Sequence, residues 1–165
     1  MRINTRACYA IRLMADVARH SVGGRAVSLK DVALRQRLPK LYLSQLTMPL
    51  RSASLLKSVW GNKGGFLLAR PPEEITLLEI VETVDGPIGV MDCVLDPNLC
   101  DKAKICDCFA TFCAINRGIV GALKRVRLSD LAAPEGAPAA ADLRTVQACA
   151  VGHGSRTGGA DECGR

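Results

Sequence analysis

The chain has 165 residues, 48% apolar but only 4% aromatic, enough for one ordinary domain, or a small domain plus an appendage, with an aliphatic core. No apolar run approaches the ~18 residues of a membrane span, and the charge-broken start MRINTRACYAIRLMADVARH does not read as a signal peptide, so a cytoplasmic chain with no membrane partner is expected. The net charge of +6 hides a split. Residues 1–70 carry thirteen Lys and Arg against Asp16 and Asp31, whereas residues 71–165 carry nine against fourteen acids. A basic half of this size points at a polyanion.

Ala10, Leu13, Met14, Val17 and Ala18 recur at helical spacing and predict a first amphipathic helix from about Thr5 to Arg19, broken by Gly23-Gly24. Ser28-Leu29-Lys30-Asp31 resembles a capping box opening a short second helix, with Asp in the third position. Leu38-Pro39 marks a turn, and Pro39 suits the first turn of a third helix whose stripe is Leu43, Leu46 and Leu50. Pro49 lies inside that helix, where a proline removes a backbone hydrogen bond. Two short helices around a tight turn in a basic segment are the helix-turn-helix pattern. The period then changes. Leu56–Trp60 and Phe66–Ala69 read as strands, and Gly61-Asn62-Lys63-Gly64-Gly65 supplies a hairpin loop, together a wing. Thr76-Leu77-Leu78-Glu79 is a capping box for a helix through Val84, stopped by Asp85-Gly86-Pro87. Residues 87–105 read as loop. From Cys108 to Val126 the pattern is helical again, with Phe112, Ile115, Ile119, Leu123 and Val126 on one face. Such a stripe on a small domain needs a partner surface, and a second copy of the same helix is the simplest.

The expected fold class is therefore mainly α with a small β-hairpin wing: a winged helix-turn-helix domain (1–86), a cysteine-bearing loop (87–106), a dimerisation helix (107–131) whose interface is Phe112, Ile115, Ile119 and Leu123, and a mostly disordered tail (132–165) rich in Ala, Gly and Pro. The N-terminal part of a recognition helix meets base edges, which nominates Lys40, Ser44 and Gln45; Tyr42 is equally a reader or a core residue. Gln45 suits adenine, and Lys40 suits guanine or phosphate. Arg51, Lys57 and Lys63 are expected on phosphates.

Of eight cysteines, Cys93, Cys100, Cys106, Cys108 and Cys113 crowd into one stretch, and in a reducing compartment such crowding reads first as a metal site. Six residues separate Cys93 from Cys100, and five separate Cys100 from Cys106. These gaps exceed the two-residue spacing of zinc ribbons, and thiolates on a loop can wrap an iron–sulfur cluster. Redox-active thiols and zinc are the alternatives. Cys113 beside Phe112 reads as a small buried side chain, and Cys149 and Cys163 fall in the tail. No P-loop, dinucleotide fingerprint, nucleophile elbow or HExxH motif is present, so no enzyme is expected.

TRACYAIRLMADVA, then LYLSQLTMPLRSASLLKSVWGNKGGFLLARPPEEITLLEIVETVDGP, then three spaced cysteines, resemble the IscR/NsrR/RirA-type regulators, the Rrf family, over about residues 1–131. The resemblance implies a homodimeric transcription regulator, usually a repressor, that binds a double-stranded operator, with an iron–sulfur cluster (2Fe–2S or 4Fe–4S) on Cys93, Cys100 and Cys106 controlling that binding. Trp60 stands where the family usually has an Arg before the wing glycine, and no His follows the third cysteine closely, the two histidines being His20 and His153. In some members a ligand comes from the partner's first helix, and Cys8 stands at the matching place; Cys108 and Asp107 are the other candidates. A cluster-free regulator gated by a partner protein or thiol oxidation, or a cysteine-based redox protein, are the alternative functions.

Overall fold

The computed structural model describes residues 4–61 and 64–132. Helix α1 (Thr5–His20) begins at Asn4, whose side chain accepts the Ala7 N–H at 2.9 Å. One face of α1 (Ala7, Ala10, Leu13, Met14 and Val17) is fully buried and forms the spine of the core. Ser28 Oγ accepts the Asp31 N–H at 3.2 Å and opens α2 (Leu29–Gln36). Arg37 closes α2 in the left-handed region with φ 52°, and the chain turns at Leu38 into α3 (Lys40–Ser52). Pro39 is the residue before that helix rather than part of its first turn. Pro49 falls near its C-terminal end, where the helix runs on to Ser52 and the Ala53 N–H donates to the Pro49 carbonyl at 2.9 Å.

Strands β1 (Leu56–Val59) and β2 (Gly65–Leu68) pair antiparallel, Leu56 opposite Leu68 and Val59 opposite Gly65. The hairpin is fastened at its base. Val27 exchanges two backbone hydrogen bonds with Phe66, at 2.9 and 2.8 Å. This approach demands glycine at 65, since a Cβ there would lie 2.4 Å from the Val27 carbonyl oxygen. Helix α4 (Leu77–Asp85) carries the full capping box: the Thr76 hydroxyl accepts the Glu79 N–H at 3.1 Å, and the Glu79 carboxylate accepts the Thr76 N–H at 2.8 Å. Gly86, at φ 84°, ends it.

The segment expected as loop is a string of short turns: α5 (Asp92–Leu95), then 3-10 turns at Pro97–Leu99 and Ala103–Ile105. The single helix expected over 107–131 is two, α6 (Phe109–Arg125) and α7 (Leu128–Ala132). The chain breaks there because it is stitched back to the first domain. The Leu77 N–H donates to the Val126 carbonyl and the Leu128 N–H to the Ile75 carbonyl, both at 2.9 Å. Leu128 is fully buried with Ile75, Ile80 and Leu13, and α7 packs on α1. The first domain thus borrows core from beyond residue 86. The tail expected from 132 begins one residue later at the earliest, Ala132 being helical, and the rest of it lies outside the described residues. Among the described residues no helix is long and apolar enough to cross a membrane.

A charge sits inside this core. Asp16 on α1 is fully buried and receives two nitrogens of Arg35 on α2, the shortest contact at 2.6 Å, and Gln36 Nε2 at 3.0 Å. Arg12 donates to the Gln36 side chain at 3.1 Å, extending the network. Burial alone would raise the Asp16 pKa, but the bonds from Arg35 and Gln36, with the charges of Arg35 and His20, hold it below the ordinary carboxylate range. Replacing Arg35 with Ala should cost about 3 kcal/mol at neutral pH. This is the low end for a broken buried pair, because Gln36 and His20 still face Asp16 and the Arg35 side chain is 35% exposed. A lowered native pKa contributes stability that is complete above the unfolded value, about 3.9, and is lost as pH falls through the native value. The gap between wild type and Arg35→Ala in urea unfolding should therefore close on acidification below about pH 4. A gap that persists there would show that lost packing, not the ion pair, is what the variant removes.

Candidate nucleic-acid interface and cysteine segment

Helix α3 divides its sides sharply. Leu43, Leu46 and Leu50 are buried, as their spacing predicts. On the opposite side Lys40, Leu41, Ser44, Gln45, Met48 and Arg51 are exposed. Thr47 lies between, its hydroxyl donating to the Ser44 carbonyl at 2.7 Å. Tyr42 is half-buried, its ring meeting Tyr9 of α1 edge-on at 5.5 Å between centroids, so core packing claims at least part of it. Lys57 is exposed on β1, the strand that follows α3 in the chain. Lys63 lies outside the described residues. Trp60, the chain's single tryptophan, is 93% exposed at the end of β1.

Two members of the exposed α3 face were not nominated from sequence: Leu41, 77% exposed, and Met48, 69% exposed. The signal was available. At about 100° per residue, Leu41, Ser44, Gln45 and Met48 lie within one narrow sector opposite Leu43, Leu46 and Leu50. An apolar residue in a helix is simply assigned to the core by default, and that default hides it here.

The cysteine segment leaves the first domain after Gly86 and returns through α6. Asn116 of α6 accepts the Val90 N–H at 3.1 Å, and Val94 is buried where α5 meets α6. Cys93 on α5 and Cys100 after the first 3-10 turn are half-buried, Cys106 and Cys108 are exposed, and all four are free thiols. Cys113 is buried, as expected, but it is disulfide-bonded rather than only a small core side chain. Cys8, in the first turns of α1, is exposed and free. The donor set is chemically apt for iron–sulfur ligation: soft sulfur donors, free and at least partly accessible, on a chain of short turns. Among the described residues no three Cys, His, Asp or Glu side chains already gather as a metal-binding group. The outer surface of this segment is mixed: Leu99 is 68% and Ile105 80% exposed, among exposed Asp96, Asn98, Asp101 and Lys102.

On α6 the predicted stripe does two jobs. Ile119 and Leu123 are half-buried against the first domain's core, with α6 packed on α4. Phe112 is half-buried higher up, and Ile115 is 47% exposed. One stripe thus joins an intramolecular contact at Ile119 and Leu123 to an exposed surface at Ile115.

Residues 3–134 match the family described as Rrf2, iron-dependent transcriptional regulator. The HTH-type transcriptional regulator IscR of Photorhabdus laumondii is 34% identical over 131 residues, covering 79% of this chain and 79% of that protein. Among solved structures, CymR, the global cysteine regulator of B. subtilis, superposes with a TM-score of 0.65 at 32% identity, covering 80% of this chain and 96% of CymR. IscR of T. potens superposes with a TM-score of 0.62 at 30% identity, covering 79% and 85%. A winged helix-turn-helix built around buried α1, a hairpin fastened to Val27 and a family match across nearly all the described residues lead to one conclusion: the chain belongs to the Rrf2 family of DNA-binding transcriptional regulators.

Proposed function

We propose that this chain is a cytoplasmic homodimer that binds a double-stranded operator, mainly as a repressor, and that an iron–sulfur cluster on Cys93, Cys100 and Cys106 sets its affinity. The observation that carries the reading is the placement of three free, accessible thiols on the turns linking the DNA-reading domain to α6. Lys40, Ser44 and Gln45 read base edges, Tyr42 positions the start of α3 from its seat on Tyr9, and Arg51, Lys57 and Lys63 hold phosphates. Phe112 and Ile115, with the N-terminal half of α6, supply the dimer contact, and Ile119 and Leu123 brace that helix on the core. When bound, a cluster supplies iron–thiolate bonds that order the segment; Cys8, exposed on α1, is the fourth ligand from the partner subunit.

A second reading has a specific observation behind it. The global cysteine regulator CymR is a structural neighbour, and among the described residues the thiols do not gather into a metal-binding group within one chain. In that reading the cysteines act as thiols and the regulator is cluster-free. Duplex binding by anaerobically purified protein, followed by fluorescence anisotropy against salt, tests the shared part. With about eight phosphates neutralised per dimer, log affinity should fall against log salt with a slope near −7. The chain's only tryptophan, on the wing, should change its fluorescence over the same titration. A flat salt response rejects DNA binding. Iron and acid-labile sulfide in the same preparation separate the two readings: both present supports the cluster, and neither present supports the thiol mechanism.

A further inference from the structure

The exposed face of α3 holds two large apolar side chains that no contact among the described residues explains. Leu41 is 77% and Met48 69% exposed, and they bracket Ser44 and Gln45 in one helical sector. The same helix has already buried Leu43, Leu46 and Leu50, so these two are not core residues displaced by poor packing. Isolated surface leucines are common, but a leucine and a methionine two turns apart, on the face of the second helix of a helix-turn-helix, are not scattered. The charges around them identify the occupant. Lys40 lies beside Leu41, Arg51 lies one turn beyond Met48, and Arg37 is exposed in the turn before the helix, with no acidic residue between Lys40 and Ser52. An apolar protein partner has no use for that ring of cations; a duplex does.

We propose that Leu41 and Met48 are specificity residues that read the 5-methyl groups of thymines in the major groove, flanking an adenine taken by Gln45. This rests on the DNA-reading face proposed above and deepens it. Of the four base pairs, only those containing thymine present a methyl on the major-groove floor, and apolar side chains are what distinguishes it. Gln45 between them offers the paired donor and acceptor that match adenine N6 and N7. The array apolar–amide–apolar along α3 therefore selects an A·T-rich half-site from the major-groove side. Leu41, in the first turn, and Met48, nearly two turns on, address different base pairs.

The test uses the full-length protein and duplexes enriched by it from a random-sequence pool. In each enriched duplex, thymines are replaced one at a time by deoxyuridine, which removes the methyl and leaves every hydrogen-bonding edge intact. Affinity should fall about fourfold at one or two positions per half-site, the worth of one buried methyl. Leu41→Ala should abolish that loss at one position and Met48→Ala at another, while each variant binds the all-thymine duplex more weakly than wild type. Both side chains are exposed, so circular dichroism and the unfolding midpoint should match wild type. Deoxyuridine losses under twofold at every thymine, or losses that persist unchanged in both variants, overturn the proposal while leaving operator binding intact. Failure of the pool to enrich, with a flat salt response, sinks both the DNA-reading face and this inference.

Discussion

Ile115→Asp should convert the protein from dimer to monomer and remove operator binding. Ile115 is 47% exposed, beyond the point where the α6 stripe turns inward onto α4, so its side chain has no complete shelter among the described residues. Burial against a partner is worth about 1.5–3 kcal/mol per isoleucine, and a two-fold axis uses the residue twice. Asp at that position loses both contributions and buries two unpaired carboxylates on opposing helices. The monomer still presents α3, but it cannot hold two half-sites about one helical turn apart. Affinity for a palindromic duplex should drop by about a hundredfold or more, the gain that joining two readers provides. Sedimentation velocity and anisotropy on the same samples check both halves of the expectation. Ile119→Asp is the less informative variant, since Ile119 packs on the first domain's core and its loss confounds unfolding with dissociation. A dimer of Ile115→Asp with unimpaired binding would place the interface elsewhere.

Much of this molecule is legible in its sequence because local signals and tertiary packing agree. The Thr76–Glu79 capping box, the Leu43, Leu46, Leu50 stripe and the glycine-rich hairpin each state one structure, and the fold adopts it. The signals that misled are those where periodicity is blind to distance. The periodic stretch from Cys108 to Val126 is extended to one dimerisation helix over 107–131, yet Val126 and Leu128 are needed at the 75–77 segment, and their backbone bonds to Leu77 and Ile75 end the helix there. Asp16 is harder still. A lone acid within an apolar stripe reads as a helix face turned to water, and nothing local says that Arg35 and Gln36, roughly twenty positions away, close over it. The cysteine segment reads as loop because Asp, Pro, Asn and Gly punctuate it, and turns too short to carry a period leave no pattern to find.

Cys93→Ala, Cys100→Ala and Cys106→Ala should each lower the iron content of anaerobically purified protein about tenfold or more and change operator affinity with it. Each removes one of three thiolates on a segment that offers few substitutes. The link to DNA binding is mechanical. The segment begins at Gly86, where the reading domain's α4 ends, and finishes at α6, the helix proposed to meet the partner. In the proposed dimer, fixing its shape would fix how the two reading helices are presented to successive half-sites. Cys8→Ala tests the ligand supplied across the dimer. Cys8 is exposed on α1, so the substitution removes no core packing, and Ala is the better helix former. The apo-protein should unfold at an unchanged urea midpoint, while the loaded protein loses iron faster and shows a shifted visible spectrum. Cys108→Ala, two positions after Cys106, should leave both unchanged. Full iron with an unaltered spectrum in Cys8→Ala removes Cys8 from the ligand set and moves the choice to Cys108 or Asp107. Unchanged iron in all three loop variants rejects the cluster and leaves the thiol-based regulator as the reading to pursue.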